Sequence, residues 1–294
     1  MTTTTDANVR CLAIDGAFDD CQTIVKSLFQ AQGFRQAVDL SGVNSINWAR
    51  IAAQVPYYVA AALALGAPDR EIAFSVPTGN FGNILAAWVA RRMGLPISKL
   101  IVGSNRNDIL YRFLTSNDMS MRPVEPSLSP SMDIQVSSNF ERLLFELMDR
   151  DAGALVSAMQ GFRQSGKMPV PNAVWRRAAD TMTGFALDDA GTEAEIRRLH
   201  AASGYLADPH TAVGVAVARA LAPNDGTPFV VAATAHPAKF PDAMERATGQ
   251  RPALPHRMAD LFDREERFDV MANDLAAVQR SEEHTSELQS RLHL

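Results

Sequence analysis

The stretch of this 294-residue sequence best suited to hold an anion is Ser75–Asn83, SVPTGNFGN. It lies between a strand pattern and a helix pattern. Gly79 and Gly82 let the backbone turn sharply and come close to a ligand. The helix that follows aims unpaired N–H groups and a partial positive charge at the same spot. Thr78, Asn80 and Asn83 add neutral donors. The loop lacks the lysine of a P-loop and the spacing of a dinucleotide fingerprint. The expected guest is one phosphate on a small cofactor, not a triphosphate. A tight strand-to-helix turn with an incidental asparagine has the same sequence, and spacing alone does not choose between them.

Four further stretches carry polar groups. AATAHPAKF (Ala232–Phe240) ends an apolar strand pattern. Ligands of parallel sheets bind beyond the carboxyl ends of strands, which places Thr234, His236 and Lys239 where a site would be. The Thr234 hydroxyl can pair with a neutral ring nitrogen; a histidine at a strand end is also a common structural residue. In DPHTAVG (Asp208–Gly214), Asp208 reads as a helix cap with Pro209 at the first helical position, while His210 and Thr211 stay open. In SPSMDIQVSSNFERLL (Ser129–Leu144), Ser137 or Ser138 can cap the next helix, and Glu141 would complete a capping box with Ser138. Asn139 and Arg142 sit beside this loop, and Arg142 could grip a carboxylate or phosphate with two prongs. In VNSINWARIAAQVPYY (Val43–Tyr58), Asn44, Ser45 and Asn47 cluster at a helix start. A cap at Asn44 or Ser45 accounts for them without a ligand.

Other chemistries find little support. Only four lysines occur, Lys26, Lys99, Lys167 and Lys239, so amine chemistry in this chain must use one of them. The cysteines, Cys11 and Cys21, make no disulfide framework and have no obvious base partner. The histidines show no metal-ligand spacing, and no G-x-S-x-G elbow is present. A net charge of -5 argues against nucleic-acid binding. No apolar run reaches the ~18 residues a membrane helix needs. No secretory signal is visible, and a reducing cytoplasm is the expected setting.

These residues need elements to position them. EIAFSVP (Glu71–Pro77) and KLIVGSN (Lys99–Asn105) read as strands, with helices at Ile84–Gly94 and Asp108–Leu114. Strand–helix alternation predicts an α/β fold with a mostly parallel sheet flanked by helices. Val9–Gly16 and Pro228–Pro237 read as further strands. Phe18–Gln32, Pro209–Ala222 and Phe240–Thr248 read as helices, and so does Ser45–Leu65 with a kink or break at Pro56. Pro123–Ser138 is a long connection of the functional kind. Helical additions at about 140–205 comprise Phe140–Gln164, Asn172–Ala186 and Thr192–Gly204, with Glu193 and Glu195 expected in the first turn of the last. Residues 1–8 are expected to fray, 9–279 to form the folded region, and 280–294 to be an unstructured tail. Within that tail, RSEEHTSELQS reads codon by codon as a sequencing adapter.

GAFDDCQ (Gly16–Gln22), VNSINWARIAAQ (Val43–Gln54), VPTGNFGN, SPSMDI with SSNFER, DPHTAVG and ATAHPAKF together resemble threonine synthase of the form found in fungi and many proteobacteria. They occur in that family's order and cover nearly all of residues 9–275. The family is similar to other pyridoxal-phosphate enzymes with the tryptophan-synthase β-subunit fold. It converts O-phosphohomoserine and water to threonine and phosphate, by γ-elimination and then β-addition of water. The resemblance implies that Gly79, Asn80, Phe81, Gly82 and Asn83 cup the cofactor's phosphate. It implies that Thr234 faces the pyridine nitrogen and leaves it largely unprotonated. Asn139, Arg142 and Lys239 become candidates for the substrate's phosphate or carboxylate. The implied partner is that small substrate, with no nucleic acid or membrane, in a monomer or homodimer.

The sequence departs from the family at one point. The family's cofactor-holding lysine lies in a phenylalanine- and lysine-rich N-terminal motif followed by a TSGDTG-like loop, and neither is present. Lys26 falls on a helix pattern, Lys99 at a strand start, Lys167 in a loop and Lys239 in ATAHPAKF. No catalytic residue is therefore assigned. Met1 matches a methionine internal to longer members. The expectation is the C-terminal part of a threonine synthase, incomplete at its N-terminus and inactive alone. A serine/threonine dehydratase-like lyase and a non-catalytic module that binds pyridoxal phosphate are the alternatives. SPSMDI with SSNFER argues against the dehydratase.

Overall fold

A computed structural model describes residues 2–16, 18–42, 47–222 and 224–281, without the side chains of Phe18, Asp19 and Gln22. The chain begins with β1 (Leu12–Asp15), α1 (Phe18–Gln30), α2 (Gln32–Ala37), α3 (Trp48–Ala52) and α4 (Val55–Ala64). It continues with β2 (Ile72–Pro77), α5 (Gly82–Arg92), β3 (Ile97–Ser104) and α6 (Ile109–Ser116). Then come α7 (Phe140–Leu147), α8 (Ala152–Ser165), α9 (Asn172–Thr181), β4 (Thr183–Ala186), α10 (Asp189–Ser203) and α11 (Pro209–Leu221). Last are β5 (Phe229–Val231), α12 (Pro241–Thr248) and β6 (Asp269–Ala272). Two compact units result, one from the described residues of 1–42 and 254–294, the other from those of 43–253. No described helix is long and apolar enough to cross a membrane.

The larger unit is the expected parallel sheet flanked by helices. Its strand order is β4-β3-β2-β5, parallel throughout. β2 is buried at every position, because a strand covered on both faces must be apolar along its length. Its one hydroxyl, Ser75, is satisfied by donating to the Gly214 carbonyl at 2.9 Å. Small residues let α11 come this close. A Cβ on Gly214 would lie 2.8 Å from Val231 Cγ1 and 3.2 Å from Pro77. Elsewhere in the core, Phe113, Phe140 and Phe81 meet edge to face at centroid distances of 4.9 and 5.2 Å. Ile84, Leu100, Leu143 and Leu144 pack in the same cluster. The chain leaves each of the four strands at its carboxyl end before the next helix, so these exits gather at one edge of the sheet.

The smaller unit pairs β1 with β6 in parallel, Leu12 opposite Asp269. Its core is Ile24, Leu28, Phe34 and Val278. The polar start is tied down rather than frayed: the Thr2 carbonyl accepts from Arg267 N–H at 2.6 Å. The tail beyond Ser281 lies outside the described residues.

The break expected at Pro56 is present, and Pro56 sits in the first turn of α4 where its missing N–H costs nothing. Several elements differ from the sequence-based expectation. The predicted helix Phe140–Gln164 is two helices. Asp149 and Arg150 take left-handed φ angles of 54° and 65° between them, and Asp151 then caps α8 through Ala154 N–H at 3.0 Å. Asn172–Ala186 is not helical throughout, since Thr183–Ala186 is the edge strand β4. Its four residues are too few to show a period. Gly184 is needed there, because a Cβ would meet the Tyr111 Cα at 3.1 Å. α10 starts at Asp189 behind an Asp188 cap, so Glu195 is not in its first turn. Glu195 is instead 2% exposed and paired with Arg198 at 2.5 Å and with Arg219. Burial alone would raise its pKa, but the two guanidinium groups hold it below the ordinary value. The AATAHP half of the predicted strand Pro228–Pro237 runs on as loop, and β6 carries no strand signal in the sequence.

The contact between α11 and the sheet gives a direct test. Gly214→Ala forces apart β5, Pro77 and the helix and should destabilise the larger unit by about 1–3 kcal/mol. Urea denaturation measures it as a lower midpoint with an unchanged slope.

Candidate active site

A cavity of about 240 Å³ lies at the carboxyl end of the sheet, lined by the Pro77–Asn83 loop, Ser131, Met132, His210, Thr234, Ala235 and Lys239. Arg50, Ile51 and Gln54 close it from the α3 side. The loop is shaped by what holds its carbonyls. Ser137 Oγ donates to the Gly79 carbonyl at 2.7 Å, and Asn139 donates to the Asn80 carbonyl from Nδ2 at 3.0 Å and from its backbone N–H at 3.1 Å. In a trans peptide the C=O and the following N–H point in opposite directions. Pinning these two carbonyls therefore aims the N–H groups of Asn80 and Phe81 away from residues 137–139. The cavity is lined by the loop and not by Ser137 or Asn139, which puts it on the N–H side.

α5 starts at the same place. Its N-cap, Phe81, is left-handed with φ 63° and supplies no side-chain cap. The first N–H groups of a helix lack intrahelical partners, so they remain for a ligand. Phe81 is 1% exposed, and its packing on Phe140 holds the unusual backbone. Asn83 is oriented by Tyr58, whose hydroxyl donates to Asn83 Oδ1. Burial pushes the Tyr58 pKa up, so the phenol keeps its proton. With its oxygen engaged, Asn83 offers its NH₂ end. Thr78 is spent locally, donating to the Val76 carbonyl at 2.7 Å. Gly79 is required on steric grounds, since a Cβ would lie 2.1 Å from the Ser131 carbonyl oxygen.

The capping box expected at Ser138–Glu141 is not formed. Asn139 occupies the N-cap of α7 without a side-chain cap bond, Ser137 spends its hydroxyl on Gly79, and Ser138 Oγ is buried without a hydrogen-bond partner. The loop carbonyls compete successfully for these side chains. Arg142 donates from Nε to Asn139 Oδ1 at 3.0 Å and lies 5.8 Å from the Trp48 ring centroid. It lines a different cavity with Trp48, Trp88 and Phe145. Asn139 and Arg142 thus reach the loop from behind, in series. Asn47 caps α3 through Ala49 N–H at 2.9 Å; Asn44 and Ser45 lie outside the described residues.

Asp208 caps α11 as expected, accepting from the N–H groups of His210 and Thr211. It is also buried with His210, at 1% and 4% exposure. Asp208 Oδ1 lies 2.9 Å from His210 Nδ1, and His210 Nε2 accepts from Ser131 N–H at 3.2 Å. That pattern assigns the Nδ1–H tautomer. Thr211 Oγ1 donates to Asp208 Oδ2 and accepts from Thr234 N–H at 3.3 Å. Burial on its own would raise the Asp208 pKa; hydrogen bonds from His210 and Thr211 outweigh it and hold the carboxyl below its ordinary value.

Thr234 and Lys239 both line the cavity, with Lys239 Nζ 5.9 Å from the Phe240 ring centroid. His236 caps the turn at Pro237–Lys239, its Nδ1 accepting from Ala238 N–H at 3.1 Å. Among the other lysines, Lys26 is exposed on α1 and Lys167 is exposed after α8. Lys99 donates to the Leu221 carbonyl at 3.5 Å. Sequence reasoning missed Ser131 and the framework behind it. Asp133 Oδ1 accepts from Asn105, Asn107 and Ser127 at 2.7, 3.0 and 2.5 Å, which fixes the Pro123–Ser138 connection. The signal available was Asp133 itself, an acid set among the serines of that connection.

Two measurements test this geometry. Gly79→Ala must displace either the Pro77–Asn83 loop or Ser131, and should weaken binding of inorganic phosphate at least about tenfold, the worth of one or two hydrogen bonds, by isothermal titration. The depressed Asp208 pKa means that its stabilising contribution is whole above the ordinary carboxylate value and is lost as pH falls through its folded value. The melting temperature of the chain should therefore fall below about pH 4, and its advantage over Asp208→Asn should shrink across that interval.

Known proteins show the same arrangement of sequence and fold. The profile named "Threonine synthase, C-terminal" matches residues 211–281. Threonine synthase of Pseudomonas aeruginosa is 53% identical over 280 residues, covering 95% of this chain and 60% of the relative. That of Saccharomyces cerevisiae is 41% identical over 84% of the chain and 52% of the relative. The crystal structure of PLP-bound threonine synthase from Brucella melitensis superposes with a TM-score of 0.91 at 51% identity, covering 97% of this chain and 61% of that one. The yeast threonine synthase structure gives 0.85 at 35% identity, over 97% and 61%. The chain thus spans about 60% of the length of the first of these relatives, and over that span it is similar to threonine synthases in sequence and fold.

Proposed function

We propose that the protein containing this chain converts O-phosphohomoserine and water to threonine and phosphate with pyridoxal phosphate. The observation that carries this reading is the convergence of the Gly79–Asn83 loop, Thr234 and Lys239 on one cavity. The residues present fit the cofactor. An uncapped helix start and a glycine loop whose carbonyls are pinned elsewhere suit its phosphate. Thr234 offers a neutral hydroxyl for the ring nitrogen, where an aspartate would keep that nitrogen protonated. When bound, the cofactor supplies an electron sink for bond breaking beside the substrate amine.

The chain's own residues bind and orient. Gly79, Asn80, Phe81, Gly82 and Asn83 hold the cofactor phosphate. Lys239, at the cavity wall, holds the substrate's phosphate or carboxylate. Asn139 and Arg142 serve that site from behind, through Asn80. The lysine that anchors the cofactor is none of Lys26, Lys99, Lys167 and Lys239. The setting is a reducing cytoplasm, which suits the two free cysteines, and the active form is a monomer or homodimer.

Titration of the chain with pyridoxal phosphate, followed by borohydride reduction and peptide mass mapping, tests the reading. Binding that inorganic phosphate displaces is expected, with no reduced adduct on any of the four lysines. O-phosphohomoserine, but not serine, should alter the fluorescence of the bound cofactor. A reduced lysine adduct together with threonine production would overturn the assignment of the lysine. A response to serine alone would turn the reading toward a dehydratase, and no uptake of cofactor would end it.

A further inference from the structure

We infer that Asp208 is a positioning residue, one buried carboxylate that sets two separate walls of the cavity through two hydrogen-bond relays of fixed polarity. This inference deepens the reading of the cavity as the cofactor site and rests on it for its catalytic meaning. An ionised carboxylate only accepts. Both side chains that contact it must therefore donate inward and present lone pairs outward. His210 gives Nδ1–H to Oδ1 at 2.9 Å, and its Nε2 lone pair takes Ser131 N–H at 3.2 Å. Thr211 gives its hydroxyl hydrogen to Oδ2, and its lone pair takes Thr234 N–H at 3.3 Å.

The first relay ends on the residue whose carbonyl abuts Gly79, and so bears on the phosphate loop. The second ends on the residue whose hydroxyl is placed for the ring nitrogen. Phosphate wall and ring wall thus share one anchor, though Ser131 and Thr234 lie far apart in sequence. Helix capping alone does not account for this. The cap is complete with the backbone N–H groups of His210 and Thr211, and neither relay is needed for it. Asp208, His210 and Thr211 are 1%, 4% and 3% exposed, so the carboxylate finds its partners in these side chains rather than in water.

Amide hydrogen exchange, read by NMR on the chain without ligand, separates the relays from the cap. Thr211→Val should speed exchange at Thr234 about 3- to 10-fold, the loss of one hydrogen bond, and leave Ser131 unchanged; Thr211→Ser should restore it. His210→Phe should do the reverse, and His210→Gln, whose carbonyl can stand in for Nε2, should restore Ser131. Asp208→Asn, whose amide keeps one acceptor oxygen and sets its NH₂ against the other donor, should speed at least one of the two. Thermal melting of each variant shows whether it folds, and Thr211→Val and His210→Phe carry the test if Asp208→Asn does not. With pyridoxal phosphate bound, Thr211→Val should shift the cofactor's absorbance while displacement by inorganic phosphate stays as in the parent. Parent-like exchange at Ser131 in His210→Phe and at Thr234 in Thr211→Val would overturn the inference. So would an equal rise at both amides in each variant. The expected exchange pattern in a chain that takes up no cofactor would leave the relays standing and remove the cofactor reading.

Discussion

The site depends on where two carbonyl oxygens point. Gly79 and Asn80 follow β2 with their C=O groups held by Ser137 and Asn139, and peptide planarity converts that grip into a pair of N–H groups facing the other way. An anion at this loop needs no cation beside it, because the field comes from oriented backbone dipoles and the start of α5. Everything that keeps the two carbonyls in place fixes the loop, even where it does not line the cavity. Arg142 on Asn139, and Tyr58 on Asn83 from the other side, belong to that group.

Holding such a loop requires packing that tolerates no slack. Phe81 keeps a left-handed backbone that a non-glycine residue rarely takes, and its ring is locked against Phe140, which is locked against Phe113. Gly79 removes the one atom that would collide with Ser131. Polar order in the neighbouring loops plays the same part. Asp133 gathers donors from Asn105, Asn107 and Ser127, and Asp208 gathers those of α11. Carboxylates that accept from several neutral donors, buried at Asp208 and partly buried at Asp133, make loops without regular structure nearly as definite as strands.

Much of this was legible in the residues. IAFSVP, KLIVGSN and the small-residue helix after Asp208 declare themselves by continuous burial and by cap chemistry, both local properties. The grouping of Gly79–Asn83 with Thr234 followed from the rule that ligands sit beyond strand ends. What could not be read was competition. Ser137 and Ser138 have all the features of a cap, and only the folded chain brings the Gly79 carbonyl to Ser137 first. Glu195 looks like a dipole partner until Arg219 arrives from another helix. β4 and β6 are strands because of their neighbours, with too few residues to show a period. Arg142 has the chemistry to grip an anion, and the cavity lies on the far side of the residue it bonds.

The close fit of α11 on β2 also has a consequence in time. Ser75 and Gly214, joined by a buried hydrogen bond, are 139 residues apart, and β2 finds its second neighbour only when β5 has been made. Pairings of such span close slowly, because the chain loses loop entropy before it gains contact. During synthesis the Gly79–Asn83 loop therefore waits, half framed, while more than half of the larger unit emerges behind it. The completed Gly79–Asn83 loop marks a larger unit whose β2–β5 pairing has closed.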